Sequence, residues 1–404
     1  MAQERFDLIL QGGRVCDPSQ GRDEVADLAV RGGKVARIEA GLAEKAEAQQ
    51  VIDVSGKLVV PGLVDLHTHC YWGGVPLGVN ADKIGPASGV TSWVDTGSAG
   101  AGNFEGFYYH VIQRSKVHIY PLLHISHIGL LAITGLSVRS GELFNFGYLN
   151  FHELLRVGEK FRHCLYGIKV RASLNATGPN SLDALTFARN AADALELPLM
   201  IHVGPPPPFI EDVLELLKPG DIVTHCYTPY HGGVVDHRFR IKDVAREARE
   251  RGVLFDIGHG GGSFSFRVAE AALEQGFPPD TISSDLHSAC IEAVVDLPTT
   301  MEKFLALGMD LSEVIAQATH RPAEAIGIDA GTLRSGAPAD IAVFRFEHRD
   351  TPLYDSAGLE RRSSRHLALE TTFLRGEVVT PVQDDRSEAA QESAFPLSRT
   401  REAR

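Results

Sequence analysis

Residues 61–69, PGLVDLHTH, decide how the rest of this chain is read. Two histidines stand one residue apart at the end of a short apolar run. Side chains on a strand alternate faces with a period of two, so His67 and His69 point to the same side. Two imidazoles converging from one strand end suit a divalent metal better than a packed core. The motif alone is weak evidence, because among 17 histidines one such spacing can arise by chance. Companion ligands elsewhere in the chain have to decide.

Moving outward, eight short apolar runs alternate with helix-like segments: LVDLHTH (63–69), VTSWVDTGS (90–98), HIYPLLHIS (118–126), YGIKVRAS (166–173), PLMIHVG (198–204), DIVTHCY (221–227), VLFDIGHG (253–260) and TISSDLH (281–287). Helical patterns such as SLDALTFARNAADALE, RIKDVAREARERG and SFRVAEAALEQG fill several gaps. This alternation predicts parallel βαβ units, and eight of them predict an α/β (β/α)8 TIM barrel. An open doubly wound sheet is the competing architecture. No GxGxxG follows the first run, however, and six of the eight runs carry a polar or ionisable residue near their C-terminal end. That is where a barrel keeps its chemistry.

The flanks differ in character. FDLILQGGRV, ADLAVRGGKVARIEA and QQVIDVSGKLVV read as short strands, with Gly12–Gly13 and Gly32–Gly33 placed where hairpin turns need positive φ. GTLRSGAPADIAVFRFE and RHLALETTFLRGEVVTP repeat that character near the C-terminus. The expected organisation is a β-sandwich built from residues 1–60 and 331–382, a (β/α)8 barrel over 61–330, and a polar tail over 383–404 with no catalytic role.

Composition narrows the partners. The 404 residues carry a formal net charge of −13 and no run of lysines and arginines, which argues against nucleic acid and anionic membrane surfaces. No stretch approaches the ~18 uninterrupted apolar residues of a transmembrane helix. MAQERFDLILQGG lacks the basic and apolar segments of a secretory signal. The five cysteines are scattered, with no CxxC pair, so neither a disulfide framework nor a zinc knuckle is indicated. A cytoplasmic homo-oligomer is the default expectation.

At the ends of the predicted strands stand His67 and His69 on the first, Lys169 on the fourth, His202 on the fifth, His225 on the sixth and Asp285 on the eighth. Singly, each has an ordinary explanation; a strand-end histidine often just satisfies a backbone carbonyl, and Asp285 could cap the next helix. Together, at corresponding positions of related strands, those explanations are strained. The set resembles the amidohydrolase superfamily of binuclear metal hydrolases, over essentially the whole chain. TSWVDTGSAGAGNFEGF, GIKVRAS, FDIGHGGGSFSF and SSDLHS…DLPTTMEKFLALGM are similar to its amidohydrolase/deacetylase subgroup, which is dihydroorotase-like.

The resemblance implies that His67, His69 and Asp285 hold one metal and His202 and His225 the second. Zn2+ is the expected ion, with Mn2+ or Fe2+ as alternatives. It further implies that Lys169 bridges the pair as a carbamate derived from CO2, that a shared hydroxide attacks the acyl carbonyl, and that Asp285 serves as general base and then acid. Arg171 lies two residues after Lys169 on the same strand face and could grip a substrate carboxylate through two hydrogen bonds, or form a salt bridge across the barrel mouth. His259 and Gly260 within GHGGG, His287 two residues after Asp285, and Tyr71 beyond the HxH are the remaining candidates for substrate contact. His124 and His127 are expected to be structural.

Known dihydroorotases place an arginine two residues after HxH, where this chain has Tyr71; zinc D-aminoacylases use a cysteine on the second strand, where VTSWVDTGS has none. The subgroup resembled is associated with removing acetyl from α-acetoxy or N-acyl carboxylic acids, so the expected reaction is cleavage of an acyl ester or amide of a small carboxylic acid. A cyclic amide hydrolase of dihydroorotase or hydantoinase type, and a non-catalytic barrel scaffold, are the alternatives.

Overall fold

The computed structural model describes residues 4–132 and 141–382; the tail expected over 383–404 lies outside them. The chain begins with strands β1 (Arg5–Asp17), β2 (Arg22–Arg31), β3 (Lys34–Glu39), β4 (Glu47–Asp53) and β5 (Leu58–Pro61). Seven further strands follow: β6 (Leu63–Thr68), β7 (Val90–Gly100), β8 (His118–His124), β9 (Ile168–Arg171), β10 (Leu199–His202), β11 (Ile222–Thr224) and β12 (Leu254–Asp256). The last are β13 (Ile341–Glu347), β14 (Thr351–Tyr354), β15 (Glu360–Ser363), β16 (His366–Leu374) and β17 (Glu377–Val379).

Strands β6 to β12 form one parallel sheet in sequential order. The eighth run, 281–287, is not a regular strand. It makes isolated parallel bridges to both edges, Thr281 to Asp256 of β12 and Leu286 to Thr68 of β6, and so nearly closes the barrel. Its middle is diverted from the ladder. Ser284 gives both its backbone N–H and its hydroxyl to the Asp65 carboxylate, and Asp285 takes a left-handed backbone with φ 48°.

The three helical patterns form helices at Ser181–Leu195, Asp243–Glu250 and Phe266–Glu274. In the first, Ala184, Leu185, Ala188, Ala191, Ala192 and Leu195 are buried; steps of three and four place them on one face, against the barrel core. Inside the barrel, Leu66, Val94, Leu122, Met200 and Ile222 cluster with Ile326. Each of the five strand residues precedes the polar residue of its own strand, so the cluster forms the apolar floor of the chemistry-bearing end.

Both chain ends contribute to a second sheet, ordered β17-β16-β13-β5-β1-β2-β3, with β4 also paired to β1. The two-end sandwich is not confirmed: the strands join in one continuous sheet. Gly12 and Gly13 lie inside β1. They mark a register shift inside β1 and no hairpin, so the first half of β1 pairs with β4 and the second half with β5 on the same edge. Gly32 and Gly33 do form the expected tight turn, with φ 59° and 72°. The segment 337–339 bonds to β3 at one edge and to the β16–β17 turn near the other, since Val35 N donates to Ala337 O and Gly376 N to Ala339 O. Alternation then divides its residues: Val59, Ile341 and Val343 face the sheet's own core, while Leu58, Val60, Ala342 and Phe344 join the main barrel core. The hairpin β14–β15 docks on the barrel instead, through Arg361 to Glu270 and the Asp355 carboxylate to Phe266 N.

Candidate active site

His67 and His69 enter from the end of β6, buried, each with its Nε2 3.3 Å from Asp285 Oδ1. One ligand atom from each of these three residues lies within 4.8 Å of the others. His225 reaches the same carboxylate, its Nε2 4.0 Å from Asp285 Oδ2. Its ring is 5.0 Å from that of His67 and 4.5 Å from that of His202. Lys169, fully buried, places its Nζ 3.3 Å from His67 Nε2 and 3.6 Å from Met200 Sδ. The structure thus brings all six candidate ligands together. His225 and Asp285 get there through backbone that L-residues seldom adopt, φ 68° and 48°, which turns each side chain inward as its strand run ends.

Hydrogen bonds on the far side of the rings set which nitrogen is free. Thr224 Oγ1 donates to Asp256 Oδ2 at 2.7 Å, so it accepts from His67 Nδ1, also at 2.7 Å. His225 Nδ1 donates to Gly258 O at 2.6 Å. Both rings therefore turn an unprotonated Nε2 toward Asp285. Burial drives the imidazoles neutral: His69 falls to about 3, His225 to about 4, and His67 and His202 well below the ordinary range. Burial also lowers the Lys169 amine to about 7, against the pull of Asp285. Neutral imidazoles, one carboxylate and a dehydrated amine make a donor set that fits divalent metal ions.

Backbone without side chains is what allows this closeness. A Cβ at Gly258 would lie 2.3 Å from Thr224 Oγ1, 2.8 Å from His225 Nδ1 and 2.9 Å from His67 Nδ1, at a φ of +49°. Gly258→Ala is therefore expected to cost about 2 kcal/mol of stability and to lower metal retention. Thermal denaturation and metal analysis check it; a variant unchanged in both would show that the turn has slack.

A sequence model of the amidohydrolase family matches residues 159–379. A deacetylase from Brucella anthropi is 36% identical over 361 residues, covering 89% of each chain. A solved adenine deaminase superposes with a TM-score of 0.85 at 31% identity, covering 92% of this chain and 99% of the other. A solved dihydroorotase gives 0.82 at 33%, covering 92% and 98%. This chain belongs to the amidohydrolase family. It is a hydrolase, and its buried His-His-Asp group is consistent with the metal dependence of that family.

Around this amidohydrolase centre the remaining candidates fall in different places. Arg171, on β9, gives its Nη1 to Glu142 Oε1 at 2.5 Å. Burial alone would raise the Glu142 carboxyl, but Arg171 and His124 outweigh it and hold it below its usual range. His124 is oriented for this, because its Nδ1 accepts from Ser126 N and its Nε2 lies 3.6 Å from Glu142 Oε2. His287 sits beside His69, ring to ring 6.1 Å, with a buried Nδ1 that has no partner among the described residues.

Two of the expected substrate contacts have their polar atoms engaged by the protein itself. Tyr71 stacks on Phe107 at 4.6 Å and donates its hydroxyl to Asn103 O, so its polar atom is committed away from the candidate ligands. His259 has both nitrogens occupied, Nδ1 by Gly260 O at 2.8 Å and Nε2 by Lys303 Nζ at 2.6 Å. Gly260 serves by its lack of bulk: a Cβ there would lie 2.3 Å from Asp285 Oδ2. Sequence reasoning missed Thr224, Asp256, Glu142 and Lys303. Asp256, in FDIGHG, shares a run with the glycine turn and had a signal; Glu142 had none.

Proposed function

We propose that this amidohydrolase removes an acyl group, acetyl in the first instance, from an ester or amide of a small carboxylic acid. The observation that carries this reading is the Arg171 guanidinium, two residues beyond Lys169 at the barrel mouth and held on one side only. Glu142 engages Nη1, and the other N–H donors are uncommitted among the described residues. A guanidinium anchored this way keeps a pair of donors for an incoming carboxylate. The name of the Brucella anthropi relative supports the acyl assignment.

His67, His69 and Asp285 would hold one metal ion and His202 and His225 a second, zinc being the first choice for this donor set. Lys169, whose amine burial lowers to about 7, would help hold both ions as the carbamate it can form with CO2. When bound, the ions supply polarisation of the acyl carbonyl and a lower pKa for the attacking water. The chain's own residues do the rest. The Asp285 carboxylate takes the proton of the attacking water and returns it to the leaving oxygen or nitrogen. Thr224 and Asp256 keep His67 in the tautomer that leaves Nε2 free. Arg171 orients the substrate by its carboxylate.

The test is hydrolysis of N-acetyl amino acids, α-acetoxy acids and cyclic imides, each as both enantiomers. Turnover of the acyl acids is expected. In Arg171→Met, KM for them should rise by ~10–100-fold, while the corresponding carboxamides change little. Equal losses for acids and carboxamides would remove the carboxylate contact. The second reading, a cyclic amide hydrolase, is favoured by the dihydroorotase structure at 33% identity. Against it, Tyr71 is turned onto Asn103 and Phe107 and offers no cation to a cyclic substrate's carboxylate.

A further inference from the structure

We propose that Lys303 is a positioning residue: through His259 it fixes the turn 258–260, which in turn holds His225 and Asp285. Lys303 belongs to the helix Leu297–Ala306 and is 1% exposed. No hydrogen bond or ion pair among the described residues joins it to either of the two residues it would position. Its Nζ lies 2.6 Å from His259 Nε2, its one hydrogen bond among the described residues.

The direction of that bond is set by its neighbour. His259 Nδ1 donates to Gly260 O, which leaves Nε2 as an acceptor for the lysine. The ring is also clamped face-on against Phe264, at 4.8 Å and 27°. Phe264 is itself fixed through its backbone: its N–H donates to Ser356 Oγ, and its carbonyl accepts from Ser356 N.

The turn held in this way has a contact at every residue. Gly258 N donates to Ser283 Oγ, His259 N to Ser283 O and Gly260 N to Ser284 O. Gly258 O accepts from His225 Nδ1 at 2.6 Å. The bare Cα of Gly260 forms the wall beside Asp285 Oδ2. A shift of the turn would rotate His225 and open the space beside Asp285 together. A methionine would fill the volume of Lys303 without the cost of dehydrating an amine. What the lysine adds is a directed donor. Burial lowers its amine to about 7, and a neutral amine donates as an ammonium does.

This inference rests on the metal-hydrolase reading of the site. Lys303→Met is expected to lower kcat by ~10–100-fold with KM within about threefold, and to speed metal loss to a chelator by about tenfold. Lys303→Arg, which keeps a donor, should recover part of both. His259→Phe should reproduce the loss, and Lys303→Met/His259→Phe should lose no more than either alone. Additive losses, or a methionine variant with normal kcat and metal retention, would overturn the proposal. A measurement on the unsubstituted protein does not depend on any variant folding. In 15N-histidine-labelled enzyme, with the His259 signal assigned by its absence in His259→Gln, the ring should be the Nδ1–H tautomer. An Nε2–H ring would overturn it. Absence of turnover in the unsubstituted enzyme would count against the acyl-hydrolase reading and leave the tautomer and metal-release results to decide this one.

Discussion

Asp285→Asn is expected to lower kcat by ~10³-fold or more, about 4 kcal/mol of transition-state stabilisation, while the protein stays folded. The substitution keeps the shape of the side chain and removes its capacity to take a proton. Asp285 Oδ1 is 3.3 Å from Nε2 of both His67 and His69, and Oδ2 is 4.0 Å from His225, so this carboxylate stands where the free ring nitrogens converge. The backbone should tolerate the change, because asparagine is among the side chains that accept a left-handed φ such as the 48° found here. The melting temperature should therefore stay close to that of the unsubstituted protein. Single-turnover kinetics on the best acyl substrate, with metal content measured in parallel, check the expectation. A variant within tenfold of normal kcat would show that another group moves the proton.

Lys169→Ala should have an effect of the same order by a different route. Its Nζ has His67 Nε2 and Met200 Sδ as neighbours, and no carboxylate pairs with it among the described residues. A charged ammonium in that place is costly, and burial lowers the amine to about 7. A neutral amine beside imidazole ligands makes sense as a ligand in its carbamate form. Alanine removes that ligand and opens space for a small carboxylic acid. Bound metal should fall below two ions per chain, activity should drop by ~10³-fold, and acetate or propionate should restore a part of it. Full metal content with full turnover would exclude a bridging role for Lys169. A loss that small acids leave unchanged would place the lysine's contribution in packing.

Much of the site was legible because strand periodicity is local. His67 and His69 share a face for the same reason that Lys169 and Arg171 do, and no knowledge of the rest of the fold is needed to see it. Alternating strands and helices make a barrel, and the rule that barrels carry chemistry at the C-terminal ends of their strands places the six candidate ligands in one neighbourhood. The reading of Arg171 stopped at two options because its partner is not local: Glu142 lies 29 residues earlier in a loop with no periodic pattern. His259 was read as exposed to substrate because a glycine-rich turn says nothing about what packs behind it. Lys303, 44 residues further on, occupies its second nitrogen. Gly12 and Gly13 were read as a hairpin because local φ requirements are alike in a turn and in a strand irregularity.

By itself the sequence determined the eight-fold alternation and the strand-end placement of the six candidate ligands, since these follow from period-two faces within a few residues, and the chemical type of the centre was implied by the family resemblance. The tertiary structure alone decided which nitrogen each histidine presents, where Arg171, Tyr71 and His259 turn, and how the two chain ends merge into one sheet. Those outcomes depend on hydrogen bonds between residues far apart in the chain and on left-handed backbone at His225 and Asp285. Such a conformation costs energy locally and persists only because the surrounding packing enforces it.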